Sequence, residues 1–269
     1  MTRRGEGTGK TALVTGASAG IGRSLALEFA AHGFDLVLVA RSAGKLETVA
    51  AEARERHGIQ ALVEPLDLLD PGAPQRLFDD LSARRIPIEV LVNDAGLLKH
   101  GWFRDMSLDQ ILDMLHLNVR ALTALTRLFL EPMVAGGGGR ILNVASIGGF
   151  FPSPSMAVYG ATKAYIISLS EALAEELRHT GVTVTALCPG FTSTEMINEI
   201  EGADSLSEQM PSSIIMDPDS VARDGYRACM EGVPVRIPGV PNRLAVRVLG
   251  WQPRSLVGSL FGALERFRS

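Results

Sequence analysis

The stretch SIGGFFPSPSMAVYGATK, residues 146–163, holds three side chains that could move a proton between them. Tyr159 and Lys163 stand four apart in a segment of helical pattern, so they share one face of a helix. A free phenol releases its proton near pH ~10, and an ammonium beside it favours the phenolate and lowers that value. Ser146 ends an apolar run and brings a hydroxyl that both donates and accepts. Alone, such a tyrosine and lysine are more commonly a packed ring and a solvated amine, and a strand-end serine commonly bonds backbone. The elements that position the three decide between these readings.

A second cluster lies near the N-terminus, where GEGTGKTALVTGASAGIG (residues 5–22) overlays two phosphate-binding patterns. GTGKT resembles the end of a P-loop. That pattern needs a glycine five residues before the Gly-Lys pair, and Arg4 stands there. It must also follow a strand, whereas only the polar MTRRGEGTGK precedes it. TGASAGIG is better placed, between the β-branched run TALVT and a helical pattern carried by Ile21, Leu25, Leu27 and Phe29. Its glycines Gly16, Gly20 and Gly22 are spaced G-x-x-x-G-x-G. Such a turn lets backbone N–H groups and a helix N-terminus face a pyrophosphate without interference from β-carbons.

The rest of the chain alternates in the same way. Strands are expected near 11–15, 35–40, 60–65, 89–92, 139–145 and 182–188, several of them unbroken Val/Leu/Ile runs suited to parallel strands covered on both faces. Helices are expected near 21–32, 43–57, 72–84, 107–134, 156–179 and 217–230, the fourth ending early at Pro132. This order implies an α/β fold, a Rossmann-like doubly wound parallel sheet, with ligands outside the carboxyl ends of its strands. Ser146 then falls on the ligand-bearing edge. The sequence reads as a single domain: a core over 10–190, a substrate lid over 191–216, and a C-terminal extension over 234–269 with short helices near 241–250 and 255–267.

Composition narrows the classes. The 269 residues are 46% hydrophobic and 21% charged, ordinary for a globular chain, and the net charge of −4 gives no basic footprint for nucleic acid. Cys188 and Cys229 make no disulfide framework and fit a reducing compartment, so a cytoplasmic location is expected. Arg3 and Arg4 are followed by no apolar core, against a signal peptide, and no apolar run approaches membrane-spanning length. No metal site is expected.

Taken together and in order, the motifs resemble those of the classical short-chain dehydrogenase/reductase family over about residues 10–190. TGASAGIG, with Gly16, Ser18, Gly20, Ile21 and Gly22, is similar to the family's cofactor turn, and Asp67-Leu68 to its adenine-contacting segment. NDAG, with Asn93, Ala95 and Gly96, resembles the Asn-Asn-Ala-Gly element after strand four, with Asp94 replacing the second Asn. Asn118 in LNV, Ser146 in NVAS, and Tyr159 and Lys163 in YGATK follow, then CPGFTST with Pro189 and Gly190.

The resemblance implies an oxidoreductase that transfers hydride between a nicotinamide and a carbonyl or alcohol. Tyr159 would exchange the proton, Ser146 would orient the substrate oxygen, and Lys163 would tune Tyr159 and hold the nicotinamide ribose. Asn118 would hold a water relaying protons to Lys163. A threonine beyond Gly190 would fix the carboxamide; Thr192 and Thr194 are both candidates and Thr192 is favoured.

The end of the second strand, Ala40-Arg41-Ser42, bears on the choice of cofactor. An NAD-preferring fold places an acid near this point, while an arginine accommodates a 2′-phosphate. No acid is present at 40–42, and the fork of Arg41 suits phosphate. NADP(H) is therefore expected, with Ser18 and Ser42 adding hydroxyls. The substrate loops carry Leu97, Leu98, Trp102, Phe103, Phe150, Phe151, Met156, Phe191 and Met196, which favours ketones or aldehydes with hydrophobic substituents.

The tail resembles, more weakly, that of a DltE-like or hydroxysteroid-dehydrogenase-like branch. It could cap the pocket, pack in a dimer or lie on a membrane surface; the first two are preferred because the stretch is short and the chain acidic. Family members commonly pair through helices like those at 107–134 and 156–179, so a homodimer or homotetramer is expected. A non-catalytic NADPH-binding regulator on the same fold is the competing reading.

Overall fold

The computed structural model describes residues 5–193 and 215–250, together with Gln252, Ser255, Gly258, Ser259, Gly262 and Ala263. Seven parallel strands form one sheet in the order β3-β2-β1-β4-β5-β6-β7. They are β1 (Thr11–Thr15), β2 (Asp35–Ala40), β3 (Ala61–Pro65), β4 (Val90–Asn93), β5 (Gly139–Val144), β6 (Val182–Leu187) and β7 (Val235–Arg236). The helices are α1 (Gly20–Ala31), α2 (Ala43–His57), α3 (Ala73–Ala83), α4 (Leu108–Leu115), α5 (Leu122–Ala135), α6 (Ala157–Glu176), α7 (Pro218–Glu231) and α8 (Val240–Gly250). This is the expected Rossmann-like fold, a single domain with a C-terminal extension.

The pleat sorts the strand residues into two cores. Ala12, Val14, Leu36 and Leu38 point to the face covered by α1, α2 and α7, where Phe29 and Tyr226 meet edge to face. Leu13, Val37, Leu91 and Ile141 point to the other face, under Leu77, Leu125 and Phe129. Each of these aliphatic side chains is at most 2% exposed apart from Leu77 at 4%, and full burial of one contributes about 1.5–3 kcal/mol. With both faces covered, the strands carry apolar residues at consecutive positions rather than in alternation.

Local signals set the helix ends. Ser42 accepts from the Lys45 N–H at the start of α2, and Gly58 closes that helix with φ +67°. Ser107 and Gln110 form a reciprocal capping box on α4. Asp217 caps α7 through the Ser220 N–H, with Pro218 at the first helical position.

Three features differ from expectation. The helix expected over 107–134 is interrupted by a π-turn, His116–Ala121, between α4 and α5. Pro132 does not end α5, which runs to Ala135; so near the C-terminus the missing N–H removes only one ladder bond. A seventh strand, β7, follows α7. The tail helix expected at 241–250 is α8, while the one at 255–267 lies largely outside the described residues, as do most of the lid and the membrane-facing reading of the distal tail.

Candidate active site

Strand order reverses at β1, whose neighbours are β2 on one side and β4 on the other. That is the switch point where open α/β sheets leave a crevice beyond the carboxyl ends of their strands. The glycine turn leaves β1 there. Gly16 has φ +70° and Gly20 φ +54°, both in the left-handed region. A β-carbon on Gly16 would stand 2.9 Å from the Ala95 nitrogen, and one on Gly22 would stand 2.5 Å from Asp94 Oδ2. The Ala17 N–H bonds to the Val39 carbonyl at 3.3 Å, which joins the turn to the end of β2.

Thr15, the last residue of β1, organises the neighbouring loop. Its Oγ1 accepts the N–H groups of Asp94 and Ala95, both at 3.0 Å, and donates to the Val92 carbonyl. Asn93 points the other way. It is buried and donates to Thr126 and to Asn143, which donates in turn to Ser170. Its side chain therefore knits β4, β5, α5 and α6 together in the interior, and only its backbone borders the crevice.

The three side chains of 146–163 do come together. Ser146 follows β5 and Ala145, at the expected edge. Its Oγ accepts the Gly148 N–H at 3.1 Å, and Ser146 Oγ and Tyr159 Cε1 lie 3.5 and 4.0 Å from the point where a β-carbon on Gly148 would stand. Tyr159 and Lys163 lie one turn apart on α6, with Lys163 Nζ 5.6 Å from the centre of the phenol ring. The ammonium, 6% exposed, donates to the Val144 carbonyl at 2.8 Å. Asn118 sits in the π-turn. Its Oδ1 accepts the Leu97 N–H at 2.7 Å, and its Nδ2 donates to the Leu97 carbonyl and to Thr162 Oγ1. Both side-chain donors are thus engaged, binding the loop after β4 to α6.

The electrostatics depart from the expectation of an acidified phenol. Burial pushes Tyr159 up to about 12; the nearby Ser146 hydroxyl opposes this and the Asp94 charge reinforces it. Burial also lowers Lys163, opposed by the Asp94 carboxylate and the Cys188 thiol. Burial raises Asp94, against the pull of Lys163 and the Gly22 N–H.

The remaining expected cofactor residues fall as follows. Arg41 and Ser42 are exposed at the end of β2, the latter serving as the α2 cap. Ser18 and Ile21 are half-buried in and after the glycine turn. Asp67 is exposed and accepts the Leu69 N–H, whereas the Leu68 side chain is buried in the core and can offer only backbone. The Pro189 carbonyl accepts the Ile147 N–H, joining the turn after β6 to the Ser146 turn. Thr192 is buried and donates to the Gly190 carbonyl at 3.1 Å. Thr194 and Met196 lie outside the described residues.

Of the expected substrate residues, Phe150 and Phe151 line a cavity of about 460 Å³ formed with Ile167 and Glu171 of α6 and Leu249 of α8. Sequence reasoning missed Asn242 of α8. It is 7% exposed, bonds the Pro238 carbonyl, and lies where a β-carbon on Gly190 would stand, its Nδ2 2.5 Å from that point. No periodicity or motif marks it.

The residues at the switch point fit a dinucleotide. α1 starts without a side-chain cap and without an acid in its first turn, so its N-terminal dipole is open to an anion. The crowding around Gly16 and Gly22 shows that the turn is built to bare glycine backbone. A doubly wound sheet with this turn and a Ser-Tyr-Lys cluster at the same edge defines a nicotinamide-dependent oxidoreductase class. The family model for short chain dehydrogenase matches residues 10–204, and the chain belongs to that family.

The chain is 35% identical over 226 residues to oxidoreductase UcpA of Escherichia coli (strain K12), spanning 83% of this chain and 81% of that protein. It is 31% identical to the 3-oxoacyl-acyl-carrier-protein reductase FabG of Aquifex aeolicus, spanning 83% and 91%. Among solved structures, a short-chain dehydrogenase from Sphingobium yanoikuyae in complex with NADPH superposes with a TM-score of 0.78 at 32% identity, over 95% of both chains. A short-chain dehydrogenase from Burkholderia phymatum in complex with NAD gives 0.81 at 26% identity, over 90% and 93%. The protein is thus an oxidoreductase of the C=O/CH–OH class using NAD(P)(H). Among the described residues no helix is long and apolar enough to cross a membrane.

Proposed function

We propose that this protein is an NADPH-dependent carbonyl reductase, reversible as an alcohol dehydrogenase, that reduces ketones or aldehydes with hydrophobic substituents. The observation that carries the reading is the juxtaposition of Ser146 and Tyr159 around Gly148, with Lys163 one turn away, on the edge of the sheet that also holds the glycine turn.

Gly16, Ser18, Gly20, Ile21 and Gly22 would hold the pyrophosphate end of the cofactor. Arg41, Ser42, Asp67, Leu68, Ala95 and Gly96 would hold the adenosine end, and Pro189, Gly190, Thr192 and Thr194 the nicotinamide end. When bound, the nicotinamide supplies the hydride. Tyr159 gives its proton to the substrate oxygen, which Ser146 orients by a second hydrogen bond. A phenol held in its acid form across neutral pH suits donation, and so favours the reductive direction. Lys163 keeps a positive charge beside Tyr159. Because the Asn118 side-chain donors are engaged, a proton relay there would use its backbone carbonyl. The segment 191–216 would close over the substrate, and the protein would act as a homodimer or homotetramer.

Purified protein with NADPH and a panel of aliphatic, aromatic and acyl-chain ketones, followed at the nicotinamide absorbance, tests this. Tyr159→Phe should lose about 10²–10⁴-fold in turnover, the usual worth of a general acid, while still binding NADPH. A fully active Tyr159→Phe variant would refute the mechanism.

A further inference from the structure

The helix α8 meets the rest of the protein through a polar side chain. Val240, Leu244 and Val248 are each 58% exposed, whereas Asn242 is 7% exposed and is the one buried residue among the described side chains of α8. An amide taken out of water must find partners. Asn242 Nδ2 donates to the Pro238 carbonyl at 3.0 Å and contacts the Met216 sulfur as acceptor at 3.3 Å. The carbon, nitrogen and oxygen of its amide all lie 2.5–2.7 Å from the point where a β-carbon on Gly190 would stand. The missing side chain of Gly190 is therefore what admits Asn242.

Gly190 and Met216 belong to one small assembly. The Met216 N–H donates to the Phe191 carbonyl at 2.8 Å, and the Ser193 N–H to the Met216 carbonyl at 3.0 Å, so a parallel bridge grips Thr192. The sulfur and methyl of Met216 both lie 3.5 Å from the β-carbon position of Gly239, whose φ of +80° leads the chain into α8. Thr192 directs its proton to the Gly190 carbonyl, which leaves the lone pairs of its hydroxyl to accept from an amide. One residue before Gly190, the Pro189 carbonyl takes the Ile147 N–H beside Ser146. A displacement of Gly190 is thus passed to Thr192 on one side and to the Ser146 turn on the other.

We propose that Asn242 is a positioning residue for the nicotinamide end of the cofactor: its buried amide, seated on Gly190 and Met216, holds the Gly190–Thr192 turn in place and makes the C-terminal extension part of the cofactor site. This rests on the reading of Pro189 to Thr192 given above.

Asn242→Ala empties the space against Gly190 and removes both Nδ2 contacts; Asn242→Ser empties most of it and keeps a short donor, should the first fold poorly. Titration calorimetry compares each reduced cofactor with its own adenine half, NADPH with adenosine 2′,5′-bisphosphate and NADH with ADP. The variant should bind the preferred reduced cofactor about 3- to 10-fold more weakly, the worth of a neutral hydrogen bond, and bind its adenine half as the wild type does. The fluorescence of the bound dihydronicotinamide should fall toward that of the free cofactor. Equal losses for whole cofactor and adenine half mark a merely structural residue and overturn the proposal, as does wild-type binding of both. Thr192→Val judges the parent reading separately. Wild-type binding there removes the role of Thr192 and leaves Asn242 to be judged by its own split, whereas a weakened Thr192→Val beside a silent Asn242→Ala keeps the turn and sinks the proposal.

Discussion

Tyr159 shows how far burial can outweigh a neighbouring charge. The sequence places Lys163 beside it and so suggests an acidified phenol, yet desolvation and the Asp94 charge hold the phenol up at about 12. Since the acid form donates the proton in reduction, that rate should stay flat through neutral pH and fall only as the phenol ionises. The oxidative rate, which needs the phenolate, should climb with pH over the same range. Initial rates in both directions between about pH 6 and 10 check this against the ordinary phenol value near ~10. A reductive rate already falling at neutral pH would contradict it. Arg41 belongs to the same scale. Its guanidinium is exposed at the end of β2, next to no acid at positions 40–42. Arg41→Ala should weaken NADPH binding about ten-fold or more, the worth of one or two charge-assisted hydrogen bonds, and leave NADH nearly unaffected. Equal losses for the two cofactors, measured by calorimetry, would remove Arg41 from the choice. The residue types of this site were legible because Ser146, Tyr159 and Lys163 lie close together in sequence. The charge balance was not, because Asp94 reaches α6 only through the fold.

Between residue and molecule, the glycine turn and the π-turn do the positioning. Gly22 has no room for a side chain: a β-carbon would stand 2.5 Å from Asp94 Oδ2, with the Gly16 carbonyl closer still. Gly22→Ala should therefore cost about 1–3 kcal/mol of stability, as overpacking does, and weaken NADPH binding by displacing the turn. Thermal unfolding and calorimetry would show both, and a variant with wild-type values would mean that the turn yields freely. Most of the strands β1 to β6 could be read from their apolar runs because they are buried on both faces; β3, at the sheet edge, is only partly buried. β7 has only two residues, Val235 and Arg236, too few for any periodicity to register. The π-turn at His116–Ala121 was likewise not read from the pattern, which took 107–134 as one helix. Its role becomes visible only in the clamp from Asn118 to Leu97 and Thr162.

At the scale of the whole molecule, the outer face of α4 is apolar where it meets solvent. Leu108, Leu112 and Leu115 are 67%, 38% and 39% exposed and recur at helical spacing, and Tyr165 of α6 is 39% exposed. A stripe of this kind fits the homo-oligomer expected from the family resemblance. Leu108→Glu with Leu112→Glu should dissociate the assembly, read as mass by light scattering on a sizing column. A wild-type protein that runs as a monomer would dispose of the idea. The C-terminal extension was visible in the sequence as a change of composition, but its attachment was not. Asn242 occupies the volume that any side chain at position 190 would need. A side chain at 190 therefore requires a smaller or displaced side chain at 242. Gly190→Ala alone should be poorly tolerated, and trimming Asn242 to glycine in the same chain should restore tolerance. An extension that reads as an appendage is in this respect a wedge driven against the turn after β6, and its sequence is free to drift only where it does not touch that turn.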